Sequence, residues 1–187
     1  MAKVWYYSDP HFYHSKIIEY CNRPFKDGQE MSELLIQLYN ETVAPGDHVW
    51  FLGDLVMWRG SRFQCEAFGR LIARLHGKKR LILGNHDRLP MQAYIDTGFE
   101  KIQADHRHEG LLFSHIPLHP SSVQKARANV HGHIHDNQGK DFPPIIRDGQ
   151  VIPYINISVE VTGYRPVDLD WINTKVREAQ RGHTRDA

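Results

Sequence analysis

The stretch Lys3-Val4-Trp5-Tyr6-Tyr7-Ser8-Asp9-Pro10-His11 opens with aromatic and β-branched residues and ends in a carboxylate and an imidazole. Such a run predicts a buried strand with its polar groups gathered at one end. The same arrangement recurs along the chain. Val49-Trp50-Phe51-Leu52 runs into Gly53-Asp54, and residues 80–83 run into Gly84-Asn85-His86-Asp87. Leu111-Leu112-Phe113-Ser114 runs into His115, and the predicted strand 129–133 carries Gly132-His133-Ile134-His135 at its end.

Helical periodicity fills the gaps in the first half. A short helix is predicted over 14–21. A second, amphipathic one covers 30–42, with Leu34, Leu35, Leu38 and Tyr39 sharing a face that Met31 extends. A third over 62–75 places Phe63, Ala67, Leu71 and Leu75 in one stripe, and a fourth covers 91–97. Beyond Phe99 the runs are shorter and hairpin-like. Asp148-Gly149 between Ile145-Ile146-Arg147 and Gln150-Val151-Ile152 is a hairpin signal, 154–161 reads as a strand, and 169–180 as a closing helix capped by Asp168. Residues 181–187 read as a frayed polar tail. The expected class is mixed α/β (α+β): two packed mixed sheets with helices outside, forming one domain over 1–187.

The 187 residues carry a net charge of +1, too mild for a strong polyanion binder, so long nucleic acid is not an expected partner. No apolar run reaches about 18 residues, so no membrane helix is expected. Charged and aromatic residues come too early for a signal peptide, and a cytoplasmic location is the expectation. Cys21 and Cys65 are far apart and lack the spacing of a zinc thiolate site.

Thirteen histidines are the unusual feature of the composition. Eight of them (His11, His14, His86, His115, His119, His131, His133 and His135) fall in four short stretches beside Asp, Asn or Gly. Ligand sites in open α/β sheets form where strand ends open into loops. Five strand ends delivering Asp, His and Asn to one rim suit a metal site. Alternation along a strand places Asp9 with His11, and His133 with His135, on common sides, so each pair can face one cation. Carboxylate, amide and imidazole donors together suit manganese, iron or zinc better than calcium or magnesium.

In order, Asp9-Pro10-His11, Gly53-Asp54, Gly84-Asn85-His86-Asp87, His115 and Gly132-His133-Ile134-His135 resemble the five motifs of the calcineurin-like metallophosphoesterase superfamily. Ser8 to His14, with Asn22-Arg23-Pro24-Phe25, is further similar to a small bacterial and phage-type branch. The resemblance implies a four-layer sandwich and two divalent ions per chain. Asp9, His11 and His135 would hold one ion, Asn85, His115 and His133 the other, and Asp54 would bridge them. It also implies phosphoester hydrolysis by a hydroxide shared between the ions. His86 would act as general acid or hydrogen-bond donor at the leaving group, with Asp87 orienting its ring.

The expected substrate is a small phosphodiester, nucleotide-like or cyclic. A phosphomonoester is the alternative, and a non-catalytic interaction module that reuses the fold is a further one. Arg23, Arg59, Arg88, His14 and His119 lie near the motifs and are candidates for substrate contact, although solvated surface is the plainer reading of each. His131 reads as a core residue or a support for the ligands. Residues 105–109 read as an exposed strand and turn, and Trp50, Phe51, Trp58 and Phe63 as core ahead of a substrate-side wall.

Overall fold

The computed structural model of the chain describes residues 2–136 and 142–183. Its first sheet holds β1 (Val4–Tyr7), β2 (His48–Phe51), β3 (Lys78–Ile82) and β4 (Lys101–Gln103) in parallel. The second holds β5 (Asp105–His108), β6 (Leu111–Ser114), β7 (Ala128–His131) and β10 (Tyr154–Asn156) in the order β10-β7-β6-β5, with β5 antiparallel to β6 and the other pairs parallel. β8 (Ile145–Arg147) and β9 (Gln150–Ile152) form a separate hairpin, and β11 (Val167–Asp168) closes the first sheet antiparallel to β1. The helices are α1 (Ser15–Tyr20), α2 (Gly28–Thr42), α3 (Arg62–Ala73), α4 (Met91–Asp96), α5 (Pro120–Val123) and α6 (Leu169–His183). The result is a mixed α/β architecture of two mixed sheets flanked by helices.

Period-two alternation explains the layering. Tyr7, Phe51 and Leu81 point to one face of the first sheet, where they join Leu35 and Tyr39 of α2, Phe68 and Leu71 of α3, and Tyr94 of α4. Their neighbours Tyr6, Trp50 and Ile82 point the other way and meet Leu111, Phe113 and Val130 of the second sheet. Tyr6 stacks on Phe113 with ring centroids 4.3 Å apart. Burial on both faces is why these strands read as continuous apolar runs. Ile172 and Val176 of α6 join the core between the sheets, and α6 lies against β10 and β11, an edge strand of each. On the outer face of the second sheet, Leu112 meets Val123 of α5 and Ile152 of β9.

Several elements depart from expectation for local reasons. α2 starts at Gly28 because Asp27 accepts a 2.8 Å bond from the Glu30 amide and caps the helix early. Phe63 is 72% exposed. At about 100° per residue it lies opposite Ile72, and the buried stripe of α3 is Phe68, Leu71 and Ile72. Trp50 and Phe51 are core, and Trp58 packs beside it. The strand predicted over 154–161 stops at Asn156, after which Ser158 bridges Ser8 at the end of β1. α4 ends at Asp96 and its neighbour β4 was not foreseen; neither was α5. The closing helix is capped by Asp168, which accepts from the Trp171 amide at 2.9 Å, and it continues to His183 rather than fraying at 181. Residues 184–187 of the expected tail lie outside the described residues.

Candidate metal centre

The strand ends converge as the motif positions imply, but the backbone achieves it differently. Asp9, His11, Asp54, His133 and His135, five of the seven expected ligands, have φ between 49° and 70°. They are not consecutive strand residues sharing a side. Each sits in a left-handed turn just past its strand, which costs about 1–3 kcal/mol for a non-glycine residue and clusters at functional sites. Three glycines make room for the resulting crowding. A Cβ on Gly84 would lie 2.2 Å from Asp54 Oδ1, one on Gly132 2.1 Å from Asp9 Oδ2, and one on Gly53 2.7 Å from His115 Nδ1. The close approach these glycines permit is that of the site's own side chains.

Two donor groups form from the expected ligands, and Cys21, His135 and Glu160 make a third among the described residues. Asp9, His11 and His135 bring one ligand atom each to within 4.8 Å of one another, and Asp54, His115 and His133 do the same. Asp54 Oδ2 lies 3.5 Å from both His11 Nε2 and His115 Nε2, between the groups. Asn85 Oδ1 is 2.8 Å from His115 Nε2. The donor chemistry fits divalent ions, and buried atoms are left open for them. Among the described residues, Asp9 Oδ1 and both ring nitrogens of His11 are buried without a hydrogen-bond partner. Such orphans are rare in folded proteins and call for an explanation.

The other atoms of these side chains are held. Asp9 Oδ2 accepts from Ser8 Oγ at 2.6 Å, Ser158 Oγ at 3.1 Å and the His133 amide at 2.9 Å. His115 Nδ1 donates to the Leu52 carbonyl at 2.7 Å, and His135 Nδ1 to Glu160 at 2.9 Å. These bonds leave each Nε2 facing inward, the arrangement expected of metal-binding imidazoles.

Burial pushes the Asp9 carboxyl up. Burial opposes the charge on Asp54 too, but the His115 ring outweighs it and holds that carboxyl at about 2. Burial also works against charge on His115 and His135; Asp54 wins at the first and takes it to about 9, and Cys21 and Glu160 win at the second and take it to about 10. The acidic groups therefore draw positive charge into the cleft. His11 goes the opposite way, pushed down by burial, which favours the neutral ring with one nitrogen lone pair open to bind.

His86 lines the cleft beside the centre together with His11, His14, Tyr20, Met57 and His135, around a cavity of about 400 Å³. Its ring lies 5.6 Å from that of His11, and its amide donates to Asp54 Oδ1 at 2.8 Å. Asp87 does not orient the His86 ring. Its two oxygens accept from the Gly84, Asp54 and Leu55 amides at 2.8, 2.8 and 3.0 Å, so it ties the second motif to the third.

The substrate-contact candidates divide. His14 is in the cleft, with a buried Nδ1 that has no partner. Arg23 is neither solvated nor free for a substrate. It is 3% exposed and paired with Glu160, because its guanidinium is surrounded by acceptors of the protein itself. Arg59 is exposed and outside the cleft lining. Arg88 folds back onto the Asn85 carbonyl at 2.9 Å, and His119 caps α5. His131 is buried, donates to the Gly132 carbonyl at 2.8 Å, and is lowered by burial to about 4.

Ser8, Ser158 and Glu160 support the centre and were missed from sequence. The available signal was Asn156, Ser158 and Glu160 alternating with Ile157 and Val159 past an apolar run. No helix of the described residues is long and apolar enough to cross a membrane.

Known proteins are similar to this chain. The uncharacterized protein MJ1445 of Methanocaldococcus jannaschii is 35% identical over 173 residues, covering 92% of this chain and 90% of its own length. The gene 66 protein of Mycobacterium phage D29 is 44% identical over 97 residues, 52% of this chain and 46% of that protein. The crystal structure of the Aquifex aeolicus protein of unknown function AQ665 superposes with a TM-score of 0.68 at 25% identity, over 93% of this chain and 99% of that one. The calcineurin-like phosphoesterase family matches across residues 2–183, and the chain belongs to it.

Proposed function

We propose that the chain hydrolyses a small phosphodiester, nucleotide-like or cyclic, using two divalent ions, manganese first among them. Asp9, His11 and His135 would hold one ion, Asn85, His115 and His133 the other, with Asp54 shared. The observation that carries this reading is the position of Asp54 Oδ2, 3.5 Å from an imidazole of each donor group. When bound, such ions supply a nucleophile at neutral pH and positive charge for the phosphoryl oxygens.

The protein's own groups do the rest. Asp54 and Asp9 are fixed by hydrogen bonds from the His86 and His133 amides, so no reorganisation is needed during the reaction. His86, which lines the cleft, would give a proton or hydrogen bond to the departing oxygen. His14 is a second polar group of the same wall.

The preference for a diester rests on charge. Among the described residues lining the cleft there is no lysine or arginine, and Asp136 is one of them. A diester brings one negative charge and a monoester up to two, so the monoester asks for cationic contacts that this wall lacks. The uncharged sides of Tyr20 and Met57 suit a neutral leaving alcohol.

The test compares bis-p-nitrophenyl phosphate with p-nitrophenyl phosphate on manganese-loaded protein. The expected result is a kcat/KM at least about tenfold higher for the diester, or about 1.4 kcal/mol of discrimination. Equal or reversed preference replaces diesterase with monoesterase. Two bound ions with no turnover of either ester would end the hydrolase reading.

A further inference from the structure

Arg23 and Glu160 form an ion pair with side chains 0% and 5% exposed, beside the centre and outside both donor groups. Buried pairs of this kind rarely add stability over apolar residues of similar size, so their presence calls for another role. The contacts indicate one. Arg23 Nε donates to Glu160 Oε1 at 2.8 Å, and its Nη2 lies 2.6 Å from the same oxygen. Nη1 donates to the Pro10 carbonyl and Nη2 to the Asp9 carbonyl, both at 2.9 Å. Glu160 Oε1 in turn accepts the Nδ1 proton of His135 at 2.9 Å. One guanidinium thus grips the Asp9–Pro10 backbone at the end of β1 and, through one carboxylate, the His135 ring beyond β7.

Apart from the Pro10 carbonyl and the Met31 sulfur, which also accepts from Arg23 Nη1 at 3.3 Å, the groups this pair bonds belong to one donor group. The other is oriented by different means, since His115 donates to the Leu52 carbonyl and Asp54 accepts from the His86 amide. We propose that Arg23 and Glu160 are positioning residues for the Asp9–His11–His135 ion alone, joining its ligands across the two sheets and fixing His135 as the tautomer that presents Nε2. This rests on the two-ion reading above. Cys21 also lies within 4.8 Å of His135 and Glu160 ligand atoms. Glu160 Oε1, which takes both Arg23 and the Nδ1 proton, orients the ring, and Glu160 Oε2 is buried without a hydrogen-bond partner.

Removing Glu160 alone strands a buried guanidinium and risks unfolding. The test therefore uses the double variant Arg23→Met/Glu160→Leu in the full chain, with Glu160→Gln beside it. Manganese binding is followed by calorimetry and by electron paramagnetic resonance. Wild type should take two ions and give the spectrum of a coupled pair. The double variant should stay folded, keep one ion at wild-type affinity, bind the other about 10–100-fold more weakly, and show a six-line single-ion spectrum at one equivalent. Glu160→Gln, which still accepts the Nδ1 proton, should recover part of the second affinity.

Two ions at unchanged affinity in the double variant would overturn the proposal. So would equal weakening of both ions, which would make the pair a general structural brace. A third ion in wild type that is lost in Cys21→Ala would make Glu160 a ligand and overturn it as well. If wild type itself binds no pair of ions, the two-ion reading fails, and that outcome is distinct from all of these.

Discussion

The first sheet carries aspartates at both of its ends, and the two ends treat them in opposite ways. Before β2, Asp47 is 7% exposed and its oxygens are taken: Oδ1 accepts from the Lys3 amide at 2.8 Å, and Oδ2 from Trp5 Nε1 at 2.8 Å and the Ala44 amide at 3.1 Å. The Lys3 amide bond leads in holding its carboxyl below the ordinary 3.8. Beyond β1, Asp9 is fully buried, one oxygen is bonded three times and the other not at all, and burial drives its carboxyl up. Of the six buried side-chain polar atoms without a partner among the described residues, five belong to Asp9, His11, His14 and Glu160. One end of the sheet spends its carboxylate on stability. The other leaves buried donors unsatisfied, which is tolerable only where a ligand completes them.

That contrast is broken most severely by Asp54→Ala. Asp54 stands between the two donor groups, so its loss should release both ions and lower kcat/KM by at least about 10^4-fold, out of accelerations that commonly exceed about 10^6-fold. Thermal stability in the presence of chelator should fall, because the His115 ring and the His86 amide, which hold this carboxyl at about 2, lose their partner. Metal analysis and a melt in chelator check both halves, and two retained ions would remove Asp54 from the centre. His86→Ala sharpens the same end of the sheet. It should lower kcat by about 10^2- to 10^4-fold with two ions still bound, since His86 faces the cleft without belonging to either donor group. A variant that loses metal along with rate would make His86 a ligand.

The layers and the rim were legible in the sequence because they rest on periodicity and on residue type. Tyr6 and Tyr7 alternate between two cores, and each apolar run ends in its Asp, Asn or His. How the rim is built was not legible. Side-chain alternation along a strand accounts for Asp9 with His11 only if the strand continues, whereas both positions are left-handed and their amides bond the distant Gly53 and Asp54 carbonyls. Asp87 next to His86 suggested a local partnership, yet its oxygens go to amides at 54, 55 and 84. Arg23 read as solvated because its partner, Glu160, is 137 residues away and lay in a stretch taken for plain strand. Local pattern reveals what a segment buries, and a carboxylate's partner across the fold leaves no such trace.

The gentlest test returns to the satisfied end. Asp47→Ala removes acceptors from the Lys3 amide, the Trp5 indole and the Ala44 amide at once. Lys3 and Ala44 are exposed, so water replaces part of what is lost, and the cost should be about 1–2 kcal/mol rather than the sum of three buried bonds. Asp47→Asn, which keeps one acceptor, should cost less. The pH dependence has a definite sign. Because the folded carboxyl lies below 3.8, its contribution is complete above the ordinary carboxylate range and disappears as pH falls through the folded value. The gap in Tm between wild type and Asp47→Ala should therefore be constant near neutrality and close on strong acidification, while kcat/KM at neutral pH stays within about twofold. A gap that persists unchanged in acid would show that the bonds to Asp47 do not depend on its charge. A large loss of rate would show that the two ends of the sheet are not independent, and the contrast between them would fail.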